Sequence, residues 1–180
     1  MSDPEVYYIS PTLYVPNSKL PVLVYRNCLP RPYTSSSTIE FLERHKWKCK
    51  GIWGEIKSPH YHATTHEAYG IFSGSSRLLL GRGPFDKENE EGNKEGGLTV
   101  TVYAGDVIVN PAGVSHCSLE SDGNYKYIGI YPDDSVPWDS NECKSEEQAA
   151  DKTNIIACVR MPEEDPVFGV NGPMMTLWAK

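Results

Sequence analysis

Apolar positions along this chain come in short runs of two to seven residues rather than at helical spacing. Val22-Leu-Val-Tyr25, Ile71-Phe72, Arg77-Leu-Leu-Leu80, Leu98–Tyr103, Asp106–Val109, Tyr125–Tyr131 and Asn154–Val159 are rich in β-branched or aromatic residues. Gly, Pro, Asn and Asp separate them at intervals that predict an all-β sandwich or barrel. One segment breaks the pattern. Near Ser37, the spacing Ser37-x-x-Glu40 matches a capping box and predicts a helix, with Ile39, Leu42 and Lys46 on one face. A second short helix is expected over Ser145–Ala150. There is no internal repeat and no linker, and the Gly83–Gly97 insert reads as an interruption within a hairpin. These signals predict a single domain over 1–180. Its N-terminal arm and helix take up about 1–50, the barrel about 51–160 and a C-terminal tail 161–180.

Composition narrows the function classes. A chain of 180 residues can bury a core, hiding roughly 70% of its unfolded surface. A net charge of -7 argues against nucleic-acid binding, which calls for a basic stripe. Part of the acidity is local: Asp86–Glu95 carries five acidic residues against two lysines and reads as a solvated loop. The first residues, Met-Ser-Asp-Pro-Glu-Val-Tyr-Tyr, lack the basic and apolar regions of a signal peptide. No apolar run approaches the roughly 18 residues of a membrane span. Five scattered cysteines (Cys28, Cys49, Cys117, Cys143, Cys158) without a CxxC fit a reducing compartment, so a cytoplasmic protein is expected.

The chemistry concentrates in Gly54-Glu-Ile-Lys-Ser-Pro-His60-Tyr-His62-Ala-Thr-Thr-His66-Glu67 and its continuation to Gly74. Side chains on a strand alternate between faces, so His60 and His62 project to the same side. Two imidazoles on one face, with a carboxylate close behind, make a partial site for a divalent transition metal. A further histidine, His116, ends the segment Gly105-Asp-Val-Ile-Val-Asn-Pro111-Ala-Gly113-Val-Ser-His116. Joining two such separated segments requires a closed or tightly packed β-structure. His66 and Glu67 are both candidates for the carboxylate-side position.

These segments carry a family resemblance. Gly54-x5-His60-x-His62-x4-Glu67-x6-Gly74 is similar to the first cupin motif, and Gly105-x5-Pro111-x-Gly113-x2-His116 to most of the second. The chain resembles the YjlB-like single-domain cupin subgroup most, through Leu20–Arg26, His60–Glu67, Gly105–Gly113 and the tail from Pro162 to Trp178. Two features depart from the pattern: Glu120 stands where the second motif usually has Asn, and the acidic insert is long. The resemblance implies a double-stranded β-helix (cupin, jelly-roll) barrel with one or two short helices. It also implies a divalent metal (Fe, Mn, Ni, Zn or Cu) held by His60, His62, Glu67 and His116. The motif accepts three or four residues before its carboxylate, which leaves His66 in play; counting back from Gly74 favours Glu67. Small cupins pair through exposed strand edges, so a homodimer is expected.

Other residues are given plainer roles. Cys117 follows His116 and should face the other way, His45 is read as a surface or packing residue, and Asp106 as a turn cap. Tyr69, Tyr125, Tyr127 and Trp53 are expected to pack in the core more than to line a pocket. The function that fits is a metal-dependent enzyme acting on a small organic substrate, with a non-catalytic metabolite- or metal-binding module as the alternative. Neutral imidazoles are needed for ligation, so metal occupancy should fall below roughly pH 6.

Overall fold

The computed structural model describes residues 3–86 and 97–179. Most of the acidic stretch read at 86–95 therefore lies outside the described residues. Among the described residues, seven strands form one antiparallel sheet: β1 (Glu5–Tyr7), β2 (Val22–Tyr25), β3 (Trp47–Trp53), β4 (Glu67–Leu80), β5 (Leu98–Tyr103), β6 (Val107–Asn110) and β7 (His116–Pro132). Their order is β1-β2-β6-β4-β7-β3, with β5 also paired to β4. Among the described residues, three α-helices accompany them: α1 (Ser35–Leu42), α2 (Glu146–Ala157) and α3 (Pro173–Leu177).

The sheet closes on itself, and strand length proves it. Glu67 is the first residue of β4, and Leu80, its last, pairs in register with His116. A strand of 14 residues laid straight spans roughly 40 Å. Yet Glu67 Oε2 lies 3.2 Å from His116 Nε2, so the strand must curl around. The β4–β7 ribbon bends through register shifts between Ile71 and Ser75 and between Arg77 and Leu78, where bulges increase local twist. At the corner, Gly74 adopts φ 64° and Gly123 φ 62°. A Cβ on Gly74 would sit 2.2 Å from the Asp122 carbonyl oxygen, so only glycine lets the two backbones cross there.

Both faces of the sheet are buried, which is why the strands read as near-continuous apolar runs. Val22, Val24, Tyr69, Ile71, Ile108 and Tyr127 fill the inner face. Leu23, Tyr25, Ala68, Val109, Ile128 and Ile130 face outward and are covered by Leu42 of α1 and by Met174 and Trp178 of the tail. Asp165 pins that tail from a fully buried position. It accepts hydrogen bonds from Tyr25 Oη (2.6 Å) and from the amides of Val167, Phe168 and Met174.

Several expectations shift. The N-terminal arm contributes β1 and β2, so the sheet begins well before residue 51. Helix α1 starts at Ser35 with Thr34 as its cap; Thr34 Oγ1 accepts from the Ser37 amide, and the Thr34 amide donates back to Ser37 Oγ. Ser37 is thus the second partner of a capping box rather than the first. Lys46 lies beyond the helix with φ 57°, turning the chain into β3. The largest correction concerns Asn154–Val159, which is not a strand. Ser145 caps α2 through the Gln148 amide, Glu146 and Glu147 occupy its positive first turn, and the helix continues to Ala157. Ala149 and Ile156 face inward, whereas Ile155 is 44% exposed, a helical and not a strand alternation. Leu80 pairs with Leu98, so the insert does interrupt a hairpin. Among the described residues, no helix is long and apolar enough to cross a membrane.

Candidate metal centre

Curling of the β4–β7 ribbon brings its two ends to one place. His116 opens β7, and the segment carrying His60 lies beside it through a bridge in which each amide donates to the other's carbonyl (His60 N 3.3 Å, His116 N 2.9 Å). His62 follows two residues later on the same side, while Tyr61 turns away and bridges to Asn141. Glu67 enters from the first position of β4. The possible ligand atoms of His60, His62 and His116 lie within 4.8 Å of one another. Glu67 Oε2 is 3.2 Å from both His62 Nε2 and His116 Nε2.

Backbone carbonyls set the tautomers. Each Nδ1 faces a carbonyl: His60 that of Ser58 (3.0 Å), His116 that of Val114 (3.1 Å) and His62 that of Asp139. A carbonyl can only accept, so each Nδ1 must carry the proton, and each neutral ring presents its Nε2 lone pair to the centre. His116 Nε2 and Glu67 Oε2 are buried without a hydrogen-bond partner in the protein. Three inward lone pairs and a buried carboxylate oxygen fit a divalent metal of the transition series. Burial holds the His60 imidazole down at about 4, with the neighbouring His116 adding to the effect. Burial alone would raise the Glu67 carboxyl; when His116 and His62 carry an Nε2 proton in place of a metal, their hydrogen bonds and charge outweigh this and hold it well below the ordinary carboxylate range.

Glu67 and His66 part company at the strand. Glu67 points inward with Tyr69 and Ile71, whereas His66 points outward and is 2% exposed. Its Nδ1 accepts from the Ala112 amide (3.0 Å), and its ring lies 4.8 Å from that of Trp178. It is therefore a packing residue behind the Pro111–Gly113 turn, away from the pocket rim. Cys117 is buried, and desolvation pushes its thiol up, away from the reactive thiolate form. Asp106 caps its turn as expected, accepting from the Asn27 and Tyr103 amides, and adds an ion pair with Arg26. His45 is half-buried beside Glu164. Of the aromatics, Trp53, Tyr69 and Tyr127 line the cleft over the cluster, and Tyr125 packs in the core beside them.

Two supporting residues escape a reading of the sequence. Tyr131 donates its hydroxyl to Glu67 Oε1, fixing the carboxylate from the far end of β7. Asp139 offers its main-chain carbonyl to His62, while its side chain ties down the Ala63 and Thr64 amides and receives Asn141 and Lys152. Burial would raise the Asp139 carboxyl, but these hydrogen bonds hold it at about 2. A backbone acceptor leaves no mark in residue identity. Tyr131 could have been suspected only as an inward position of a strand rich in aromatics.

No family model matches the chain. It is similar over 177 residues, at 25% identity, to YjlB of Bacillus subtilis strain 168, an uncharacterised protein; the match covers 98% of this chain and 97% of that one. Among solved structures it is similar to RmlC from Streptococcus suis, at 14% identity and a TM-score of 0.37, covering 75% of this chain and 72% of that one. Procruciferin, an 11S globulin from Brassica napus, gives 10% identity and a TM-score of 0.37, covering 85% of this chain. The chain spans about a third of procruciferin's length (33%).

Proposed function

We propose that this YjlB-like cupin binds one divalent transition metal through His60, His62, Glu67 and His116 and acts on a small organic substrate in the adjoining cleft. The observation that carries the reading is the convergence of three Nε2 lone pairs, each fixed by an Nδ1 hydrogen bond to a carbonyl, on a buried carboxylate. Such a metal would supply Lewis acidity or, if redox-active, electron exchange. The protein's own part is to hold the ligands in one geometry and to restrict water. Tyr131 contributes by orienting Glu67.

Elemental analysis of protein purified without a His-tag tests the metal. About one equivalent of Fe, Mn, Ni, Zn or Cu is expected at pH 7.5, falling as protons compete for the imidazoles below roughly pH 6. A His60→Ala variant with the same metal content as wild type would sink the proposal. Turnover of candidate substrates with and without O2 then tests the enzyme reading. Tyr131→Phe should keep the fold and weaken metal binding by roughly tenfold, the usual scale for losing a ligand's hydrogen-bond partner. Competition against a chelator measures this, and an unchanged affinity would remove Tyr131 from the site.

One observation favours a non-catalytic binding module as a second reading. Among the described residues lining the cleft, no carboxylate besides Glu67 and no Lys or Arg is available as an acid or base. Mass spectrometry of small molecules retained by the native protein separates the two; turnover abolished by Glu67→Ala would dismiss the module. The outer strand β1, with Val6 exposed on it and Tyr8 just after it, also suits pairing of two copies. Light scattering at tens of micromolar should give a homodimer, and a strict monomer would refute that pairing.

A further inference from the structure

The cleft over the cluster has a shape and a charge that select among ligands. Its volume is about 160 Å3, close to the roughly 150 Å3 cavity known to accept benzene. Its walls are Trp53, Ile56, Tyr69, Tyr127, Tyr131 and Trp138. The geometry points to a substrate with a single aromatic or enolic ring that presents a singly ionised oxygen to the metal. This inference rests on the metal assignment above.

The flat walls come first. Gly51 of β3 and Gly129 of β7 face each other in register, and the Trp53 ring lies down over both. A Cβ would come within 2.5 Å of that ring at Gly51 and 2.2 Å at Gly129. The paired glycines thus hold an indole against the sheet as an apolar plane, tilted 36° to Tyr127 at 6.0 Å. Trp138, 43% exposed, stacks on Tyr131 at 5.1 Å and 18°. Aromatic planes on more than one side of a space this size favour a planar guest, which stacks or meets them edge to face.

Charge narrows the guest further. With three neutral imidazoles, a divalent metal and the Glu67 carboxylate leave the centre at +1. A guest ionised once brings it to neutrality. A phosphate or dicarboxylate dianion would leave an uncompensated negative charge in a partly dry cleft, and no Lys or Arg among the described lining residues could offset it.

The full-length protein reloaded with Co(II) provides the test, after elemental analysis has established one bound Co(II). Under anaerobic conditions, Co(II) absorption and tryptophan fluorescence are followed while catechol, trans-cyclohexane-1,2-diol, succinate or inorganic phosphate is added. Catechol should bind at least roughly tenfold more tightly than the other three. Trp138→Leu, at an exposed position that leaves folding intact, should weaken catechol by roughly five- to tenfold with Co(II) content unchanged. Equal or tighter binding of phosphate, succinate or the saturated diol overturns the inference, as does a Trp138→Leu variant with wild-type catechol affinity. Failure to retain Co(II) at all is read before any guest is added and overturns the metal assignment beneath it.

Discussion

His116→Ala is expected to abolish the metal-dependent part of the protein's stability. A ligand that binds only the folded state stabilises it by mass action, about 2.7 kcal/mol at one hundred times Kd. For a domain of this size that raises Tm by roughly 5–10 °C. Without the His116 imidazole the cluster loses one of its three inward lone pairs, and metal affinity should fall by well over roughly 100-fold, beyond the scale seen for losing a supporting hydrogen bond. Differential scanning fluorimetry with and without added metal should show an upward shift for wild type and none for the variant. A variant whose Tm still rises with metal as wild type's does would show that the metal sits elsewhere.

Asp165→Ala should produce the largest loss of stability away from the centre. The carboxylate is fully buried and accepts from Tyr25 Oη and three amides, so alanine strands four donors at once. Unsatisfied buried donors cost roughly 1–3 kcal/mol each, and water entering the vacated space returns part of that. About 4 kcal/mol is the expected net loss, or roughly 10 °C in Tm. Tyr25→Phe removes only one of the four bonds and should cost about 1 kcal/mol. Trp178, which closes the tail over His66 and donates to the Pro21 carbonyl, should become more exposed in Asp165→Ala. Denaturant melts and tryptophan emission measure both effects. Equal midpoints for Asp165→Ala and wild type would mean that the tail is held by apolar contact alone.

The sequence made the cluster readable because strand alternation and turn chemistry are local. His60 and His62 share a face by parity, and the Pro111–Gly113 turn marks the approach of His116. Parity also separates Glu67 from His66, once β4 is known to begin at Glu67. What stayed hidden depends on curvature. Tyr131 reaches Glu67 only because β7 follows β4 around the barrel, and Asp139 acts through a carbonyl that any residue possesses. The strand expected at Asn154–Val159 failed for the opposite reason. Its β-branched residues carry a local preference for strand, but a capped, acidic helix start nine residues upstream and the packing of half-buried Ile156 outweigh it. At α1 the capping box begins three residues before the Ser37-x-x-Glu40 spacing, because Thr34 and Ser37 can each play the serine-or-threonine role.

Strands normally fray from their ends, where hydrogen bonds have neighbours on one side only. The bent β4–β7 ribbon reverses that order. Both ends of β4 lie at the histidine cluster, one as Glu67 and the other opposite His116. A bound cation would act there as a clasp, making the terminal amides the slowest to exchange with solvent. Breathing would shift to the corner at Gly74 and Gly123, where the backbone carries positive φ and the pairing register slips. The barrel would then open from its middle and keep its ends closed.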